Sequence, residues 1–201
     1  SIMSTFLRPS LPESKFLSRV FFFSGGPRGP GIIKKIMLIF DTNTVKFFKS
    51  KFLSLERKFD IHSCVIKSGE RSKSWETINQ IASNLLKKNF DRKTILIAVG
   101  GGVVSDLAGF VADTYCRGIP LITVPTSLMG MVDASIGGKT GVNTFDGKNL
   151  LGAIYPSRAI FIDLTTLTSL PDKEFLNGCA EMIKHGLVAK PSHFRWIEKN
   201  D

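Results

Sequence analysis

The sequence predicts an α/β fold, a parallel sheet with flanking helices, and three observations predict it. Strand-length apolar signals recur at Ile36–Phe40, Ile95–Val99 and Leu121–Val124, and Ile61–Ile66 reads as a further strand. Stretches of helical spacing separate them, and alternating strands and helices imply parallel strands. Polar or glycine-rich clusters at Asp41, Glu70, Gly100 and Thr126 follow the four strands. In such sheets ligands sit at the carboxyl ends of the strands, so four site-like strand ends in succession point to a Rossmann-like binding domain.

Length and composition set the bounds. With 201 residues, 43% of them hydrophobic, the chain can bury a sizeable core and lies near the upper range for one domain. Of the formal charge of +10, most comes from residues 1–60, where eleven Lys/Arg face four Asp/Glu. The excess therefore lies away from the motif-rich region, and no aromatic and basic residues alternate as a nucleic-acid groove favours. Cys64, Cys116 and Cys179 are odd in number and lack CxxC spacing, which argues against a disulfide framework or a zinc knuckle and favours a reducing cytoplasm. No apolar run approaches the roughly 20 residues that span a bilayer.

In chain order, residues 1–31 read as an irregular amino-terminal segment with a short strand at Val20–Phe23. Rich in Ser and Arg with Glu13 as the one acid, they also read as an organelle transit peptide. After Ile36–Phe40, the turn Asp41-Thr42-Asn43 caps a helix expected over Thr44–Lys58. The second strand, Ile61–Ile66, leads through Gly69 and Glu70 to a helix over Ser74–Asn89, whose Ile78, Ile81, Leu85 and Leu86 are spaced for one buried face.

The third strand runs into Gly100-Gly101-Gly102-Val103-Val104-Ser105, which falls one glycine short of the dinucleotide fingerprint. The acid that the fingerprint places after the next strand is also absent, because Pro125-Thr126-Ser127 stands there. The loop is read either as a tight strand-to-helix turn or as a phosphate cradle at the start of a helix near Val104. An island of Asp133, Gly137, Gly138 and Lys139 follows, a mixture of little use to a packed core.

Ala159–Ile162 is the next expected strand, Asp163–Leu170 a turn, and Pro171 opens a helix running to about Val188. On that helix Glu181, Lys184 and His185 share one face at i, i+3 and i+4. Glu181 and His185 can bind one metal by geometry; a solvated Glu/Lys ion pair beside an incidental His is the alternative.

Taken together, GGGVVSDLAGFVADTYCRG, VPTSLMGMVDASIGGKTGVN, GKNLLGAIY and LPDKEFLNGCAEMIKHGL resemble the 3-dehydroquinate synthase family over about residues 32–200. The resemblance implies an NAD-dependent carbon–oxygen lyase of the shikimate pathway that releases phosphate from a seven-carbon sugar acid, with zinc or cobalt as metal. It divides the chain into an NAD-binding unit at 32–168 and, from 169 to 201, the first helix of a truncated all-α domain.

It also implies roles. Asp41 and Asn43 match adenosine-side contacts; Gly69, Glu70 and Lys73 match a GExxK cofactor loop. Gly101, Gly102, Val103, Val104, Ser105 and Asp106 match the pyrophosphate and ribose contacts. Thr126, Ser127, Lys139, Lys148, Thr166, Leu167, Thr168 and Ser169 complete the cofactor site. Lys139 and Asn149 match holders of the substrate phosphate, and Arg117 matches an arginine reaching it from a neighbouring subunit, which implies a homodimer. Asp133 and Lys184 match contacts to substrate hydroxyls, and Glu181 matches the first of three metal ligands, the other two lying in a helical domain beyond Asp201. No nucleic-acid or membrane partner is implied.

Four positions depart from the family's pattern: Ser105 stands for Gly, Ser127 for Thr, Cys179 for Leu and His185 for Tyr. A related sugar-phosphate cyclase, a metal-dependent alcohol dehydrogenase and a catalytically inactive NAD-binding module are the alternative functions.

Overall fold

Strands buried on both faces need two covering layers, and three nearly continuous apolar strands form the middle of one sheet. The computed structural model describes residues 35–56, 58–189 and 191–199. The amino-terminal segment, with its expected strand at Val20–Phe23 and its transit-peptide reading, lies outside the described residues. Strands β1 (Lys35–Asp41), β2 (Asp60–Ile66), β3 (Ile95–Gly100), β4 (Leu121–Pro125) and β7 (Ala159–Ile160) make a parallel sheet in the order β2-β1-β3-β4-β7. β3 and β4 are buried along their whole length.

The two-residue alternation of each strand feeds two cores. On one face Ile36, Leu38 and Phe40 pack with Phe48 and Phe52 and with Ile97, Val99 and Val124. On the other, Met37, Ile39 and Leu96 meet helix α2 (Trp75–Lys87) through Ile78, Ile81 and Leu85, and helix α3 (Gly102–Thr114) through Val104, Leu107 and Val111. Each such buried side chain contributes about 1.5–3 kcal/mol. Ser74 begins α2, its hydroxyl accepting from the Thr77 amide at 3.5 Å.

Several expectations need correction. The helix expected over Thr44–Lys58 is an α-helix, α1, only at Thr44–Phe48, and tightens to a 3₁₀ stretch over Lys49–Leu55. The stretch holds three phenylalanines, the β-branched Thr44 and Val45 and no first-turn acid, so little favours α-helix beyond the burial of Phe48 and Phe52. Leu86 is 65% exposed. At 100° per residue it stands well outside the narrow arc shared by Ile78, Ile81 and Leu85. The strand at Ala159–Ile162 stops at Ile160 as the edge of the sheet, with only a Phe161 amide bond to the Thr123 carbonyl beyond it.

The stretch after Lys139 folds as an antiparallel hairpin, β5 (Lys139–Thr144) and β6 (Gly147–Ile154), turning at Phe145-Asp146. It lies across α3, where a Cβ at Gly109 would meet Thr140 Cγ2 at 2.2 Å. Two helices follow the sheet, α4 (Asp172–Ala189) and α5 (Pro191–Lys199). α4 crosses the loop after β4 so closely that a Cβ at Gly178 would meet Leu128 Cβ at 2.5 Å. Among the described residues, no helix is long and apolar enough to cross a membrane.

Candidate functional site

The carboxyl ends of the strands supply the site, and each end is fixed by its own local bonds. At the end of β1, Asp41 Oδ1 accepts from the amides of Asn43 at 2.9 Å and Thr44 at 2.8 Å, so this oxygen caps α1. Thr42 joins this turn to the end of β2 by a hydroxyl contact with Ser68 at 3.1 Å. Gly69, with φ of 97°, adopts a backbone that side chains rarely tolerate, and it turns the chain into the short Glu70–Ser72 helix that delivers Lys73.

After β3, the loop Gly100-Gly101-Gly102 leads straight into α3. A Cβ at Gly100 would lie 2.5 Å from Val104 Cγ2, so helix and strand end approach too closely for a side chain. No side chain caps the amino end of α3, and the Ser105 hydroxyl turns away to donate to the Gly102 carbonyl at 2.9 Å. Val104 is fully buried in the core. The uncapped first-turn amides are left at the strand end, an arrangement suited to a phosphate group. The Thr126 amide donates to the Gly100 carbonyl at 3.0 Å, and Ser127 Oγ accepts from the Gly130 amide at 3.2 Å. These bonds set the π-helical turn Gly130–Ala134, which carries Asp133.

Lys73, Asp106, Asp133, Lys139 and Asn149 line one cavity of about 610 Å³, which Leu150, Ala153 and Ile154 of β6 also line. That volume is within the range of small-molecule and cofactor sites. The Lys73 ammonium, 6% exposed, bridges the Asp106 carboxylate and the Asn149 side-chain carbonyl. Burial pushes the Asp106 pKa upward, the Lys73 contact opposes this, and the negative charges of Glu70 and Asp133 add to the rise.

The hairpin is tied to the GExxK loop by a residue that sequence reasoning missed. Asn143 donates from its side-chain amide to Glu70 Oε1 at 2.8 Å and from its backbone amide to the Lys73 carbonyl at 2.8 Å. Its side-chain carbonyl accepts from the Asn149 amide at 3.0 Å, where Asn149 has φ of 58°. The available signal was Asp146-Gly147, a turn-favouring pair that overlaps the observed Phe145-Asp146 turn, which places Asn143 and Asn149 on facing strands.

On α4, Glu181 forms ion pairs with Lys184 and with His185 Nε2, the latter at 3.1 Å. The Lys184 ammonium holds the Glu181 carboxyl below its ordinary range, and the carboxylate in turn raises the Lys184 pKa. One donor atom each from Asp133, Glu181 and His185 lie within 4.8 Å of one another. Two carboxylates and an imidazole suit zinc or cobalt, so this donor set fits a borderline divalent ion. The uncapped start of α3 likewise fits the pyrophosphate of a dinucleotide.

Other candidates stand apart. Arg117 follows α3 with φ of 63° and leads into the amino end of β4, opposite the cavity. Lys148 is exposed on the hairpin, and Asn43 is exposed beside α1. Thr166, Leu167, Thr168 and Ser169 belong to the 3₁₀ turn Leu164–Ser169, where the Thr166, Thr168 and Ser169 hydroxyls donate to carbonyls at 2.8, 2.8 and 2.9 Å.

Residues 63–177 match the family model described as 3-dehydroquinate synthase N-terminal. The 3-dehydroquinate synthase of Nitrosospira multiformis is 45% identical over 83% of this chain and 46% of its own length. The chain therefore spans about half the length of the curated relatives it matches. Among solved structures, ValA, the 2-epi-5-epi-valiolone synthase of Streptomyces hygroscopicus with NAD+ and Zn2+ bound, superposes with a TM-score of 0.76 at 32% identity, over 80% of this chain and 45% of that one. A 2-deoxy-scyllo-inosose synthase complexed with carbaglucose-6-phosphate, NAD+ and Co2+ superposes with a TM-score of 0.71 at 29% identity, over 78% and 43%.

Proposed function

The chain belongs to the 3-dehydroquinate synthase family, and we propose that it forms the cofactor-binding half of an NAD-dependent carbon–oxygen lyase. The reaction converts 3-deoxy-D-arabino-heptulosonate 7-phosphate to 3-dehydroquinate and inorganic phosphate, a step of the shikimate pathway. One observation carries this reading: Lys73, Asp106, Asp133, Lys139 and Asn149, far apart in sequence, line a single cavity at the strand ends.

NAD held at the start of α3 would supply reversible oxidation of one substrate hydroxyl, the chemistry that activates the neighbouring C–H for loss of phosphate. A divalent metal held by Glu181 would supply polarisation of the substrate hydroxyls. The amides at the start of α3 receive the cofactor's pyrophosphate. Lys73, clamped between Asp106 and Asn149, fixes the carboxylate that meets the adjacent ribose. The Lys139 ammonium and the Asn149 amide hold the substrate phosphate by charge-assisted bonds and stabilise it as a leaving group. Asp133 accepts from a substrate hydroxyl, Lys184 donates to one, and Glu181 ligates the metal.

In this reading residues 32–168 are the NAD-binding unit and residues 169–201 begin a helical domain that carries further metal ligands. Arg117, on the face opposite its own cavity, serves the site of a second copy, which makes the working enzyme a homodimer. The site of action is the cytoplasm, or an organelle if residues 1–31 act as a leader.

The test joins this chain to the complementary half of the Nitrosospira enzyme and measures phosphate release. The expected result is NAD-dependent turnover of the heptulosonate phosphate, lost on Lys139→Ala. A folded, NAD-binding chimera that releases no phosphate from it contradicts the assignment. Structural likeness to ValA and to the inosose synthase favours a second reading, a related cyclase. Turnover of another sugar phosphate by that chimera, with none of the heptulosonate, would select it.

A further inference from the structure

We propose that Asn143 is a positioning residue for two subsites, aiming the Glu70 carboxylate at the cofactor through its Nδ2 and setting Asn149 for an anion through its Oδ1. That the two ends serve NAD and a phosphate rests on the family reading above; the bonds that join them do not.

The strand pairing marks the place. Val142 pairs with Leu151 and Thr144 with Gly147, so Lys148, Asn149 and Leu150 stand opposite Asn143 alone. A bulge of this kind leaves backbone groups without ladder partners and re-aims the side chains of the bulged strand. Asn143 Oδ1 takes up the freed Asn149 amide at 3.0 Å, and Asn149 holds a left-handed φ of 58°, which asparagine tolerates better than most residues. Asn143 also reaches the loop after β2, where its backbone amide donates to the Lys73 carbonyl and its Nδ2 to Glu70 Oε1, both at 2.8 Å.

Donor and acceptor chemistry leaves each side-chain amide one orientation. A backbone N–H on one side and a carboxylate oxygen on the other are met only by Asn143 with Oδ1 toward Asn149 and Nδ2 toward Glu70. The Lys73 ammonium has donors only, so Asn149 turns Oδ1 to it and keeps its Nδ2 hydrogens for an acceptor. Asn149 lines the cavity together with Lys139, and an amide donor on the same cavity as an ammonium suits an anion. Glu70, with Oε1 engaged, has Oε2 left for a ligand hydroxyl. One side chain thus prepays the ordering of both groups before either ligand arrives.

The test compares the 201-residue wild type with Asn143→Asp, Asn143→Ala and Thr144→Val, each shown to be folded by circular dichroism. Asn143→Asp keeps the acceptor for Asn149 but sets a carboxylate against Glu70. Thr144→Val removes a different hairpin bond, from the Thr144 hydroxyl to the Gly147 carbonyl at 3.2 Å, and is the control for hairpin stability. Calorimetric NAD titration is expected to show binding weakened about tenfold or more by Asn143→Asp and unchanged by Thr144→Val. The loss is expected to shrink in a Glu70→Gln background, where the bond re-forms with donor and acceptor exchanged. Inorganic phosphate, titrated into the NAD-saturated chain and followed by phosphorus NMR, is expected to bind wild type and Asn143→Asp alike and Asn143→Ala about fivefold more weakly. NAD binding that Asn143→Asp leaves unchanged, a loss equal in both backgrounds, or a loss matched by Thr144→Val overturns the Glu70 role and leaves the family reading intact. Phosphate taken up equally by wild type and Asn143→Ala, or by neither, overturns the Asn149 role. A folded wild type that takes up no NAD overturns the Glu70 role together with the family reading.

Discussion

Asn143 donates its side-chain amide to Glu70 Oε1 at 2.8 Å, and this bond joins the β5–β6 hairpin to the loop after β2. The same residue accepts the Asn149 amide, so one side chain sets both the cofactor loop and the backbone of a candidate phosphate holder. Asn143→Leu removes both side-chain bonds while leaving its amide bonded to Lys73. The expected cost is about 1–2 kcal/mol of stability. Thermal melting measures it, and faster amide exchange confined to residues 139–154 identifies the hairpin as the part released.

Lys73→Met removes the cation between Asp106 and Asn149 and leaves a shielded carboxylate unpaired. Breaking such a pair from one side costs about 3 kcal/mol. Denaturant melts are expected to show this loss, and the double variant with Asp106→Asn to recover part of it, because no stranded charge remains.

Asp106 also gives the protein a pH dependence of defined sign. Its folded pKa is raised above the ordinary aspartate value, so the folded chain binds more protons than the unfolded chain between the two values. Its contribution is present below about pH 4 and is lost as pH rises through the folded pKa. Comparing Tm for wild type and Asp106→Asn from about pH 4 to about pH 6 isolates it, and the difference should shift in favour of the Asn variant as pH rises.

Gly109→Ala places a methyl group where Thr140 Cγ2 now sits, forcing the hairpin away from α3. Overpacking of this kind costs about 1–3 kcal/mol. Thr140→Ser deletes the opposing methyl, so the double variant should regain part of the loss, and a double-mutant cycle on melting free energies measures the coupling.

How far the sequence could be read follows the kind of force involved. The parallel sheet was legible because Ile36–Phe40 and Ile95–Val99 are apolar without interruption and Leu121–Val124 is broken only by Thr123, a pattern that requires cover on both faces. The grouping of Lys73, Asp106, Lys139 and Asn149 followed from strand-end logic together with the family resemblance. The β5–β6 hairpin was missed because its strands mix polar, apolar and glycine residues without alternation and are stabilised by Asn143, Thr140 and the surface of α3, none of which leaves a periodic signal. Leu86 misled for the opposite reason: its hydrophobicity was counted, but its angle around α2 lies outside the buried arc.

The most direct test of the central claim is calorimetric titration of NAD into the 201-residue chain, alongside Gly101→Val and Lys73→Met. Gly101 faces Ser127 Oγ, 3.2 Å from where a Cβ would stand, and a branched side chain there crowds the start of α3. The account predicts one NAD bound per chain, weakened about tenfold or more by each substitution while both variants remain folded. A folded wild-type chain that takes up no NAD, or uptake that neither substitution changes, would contradict it.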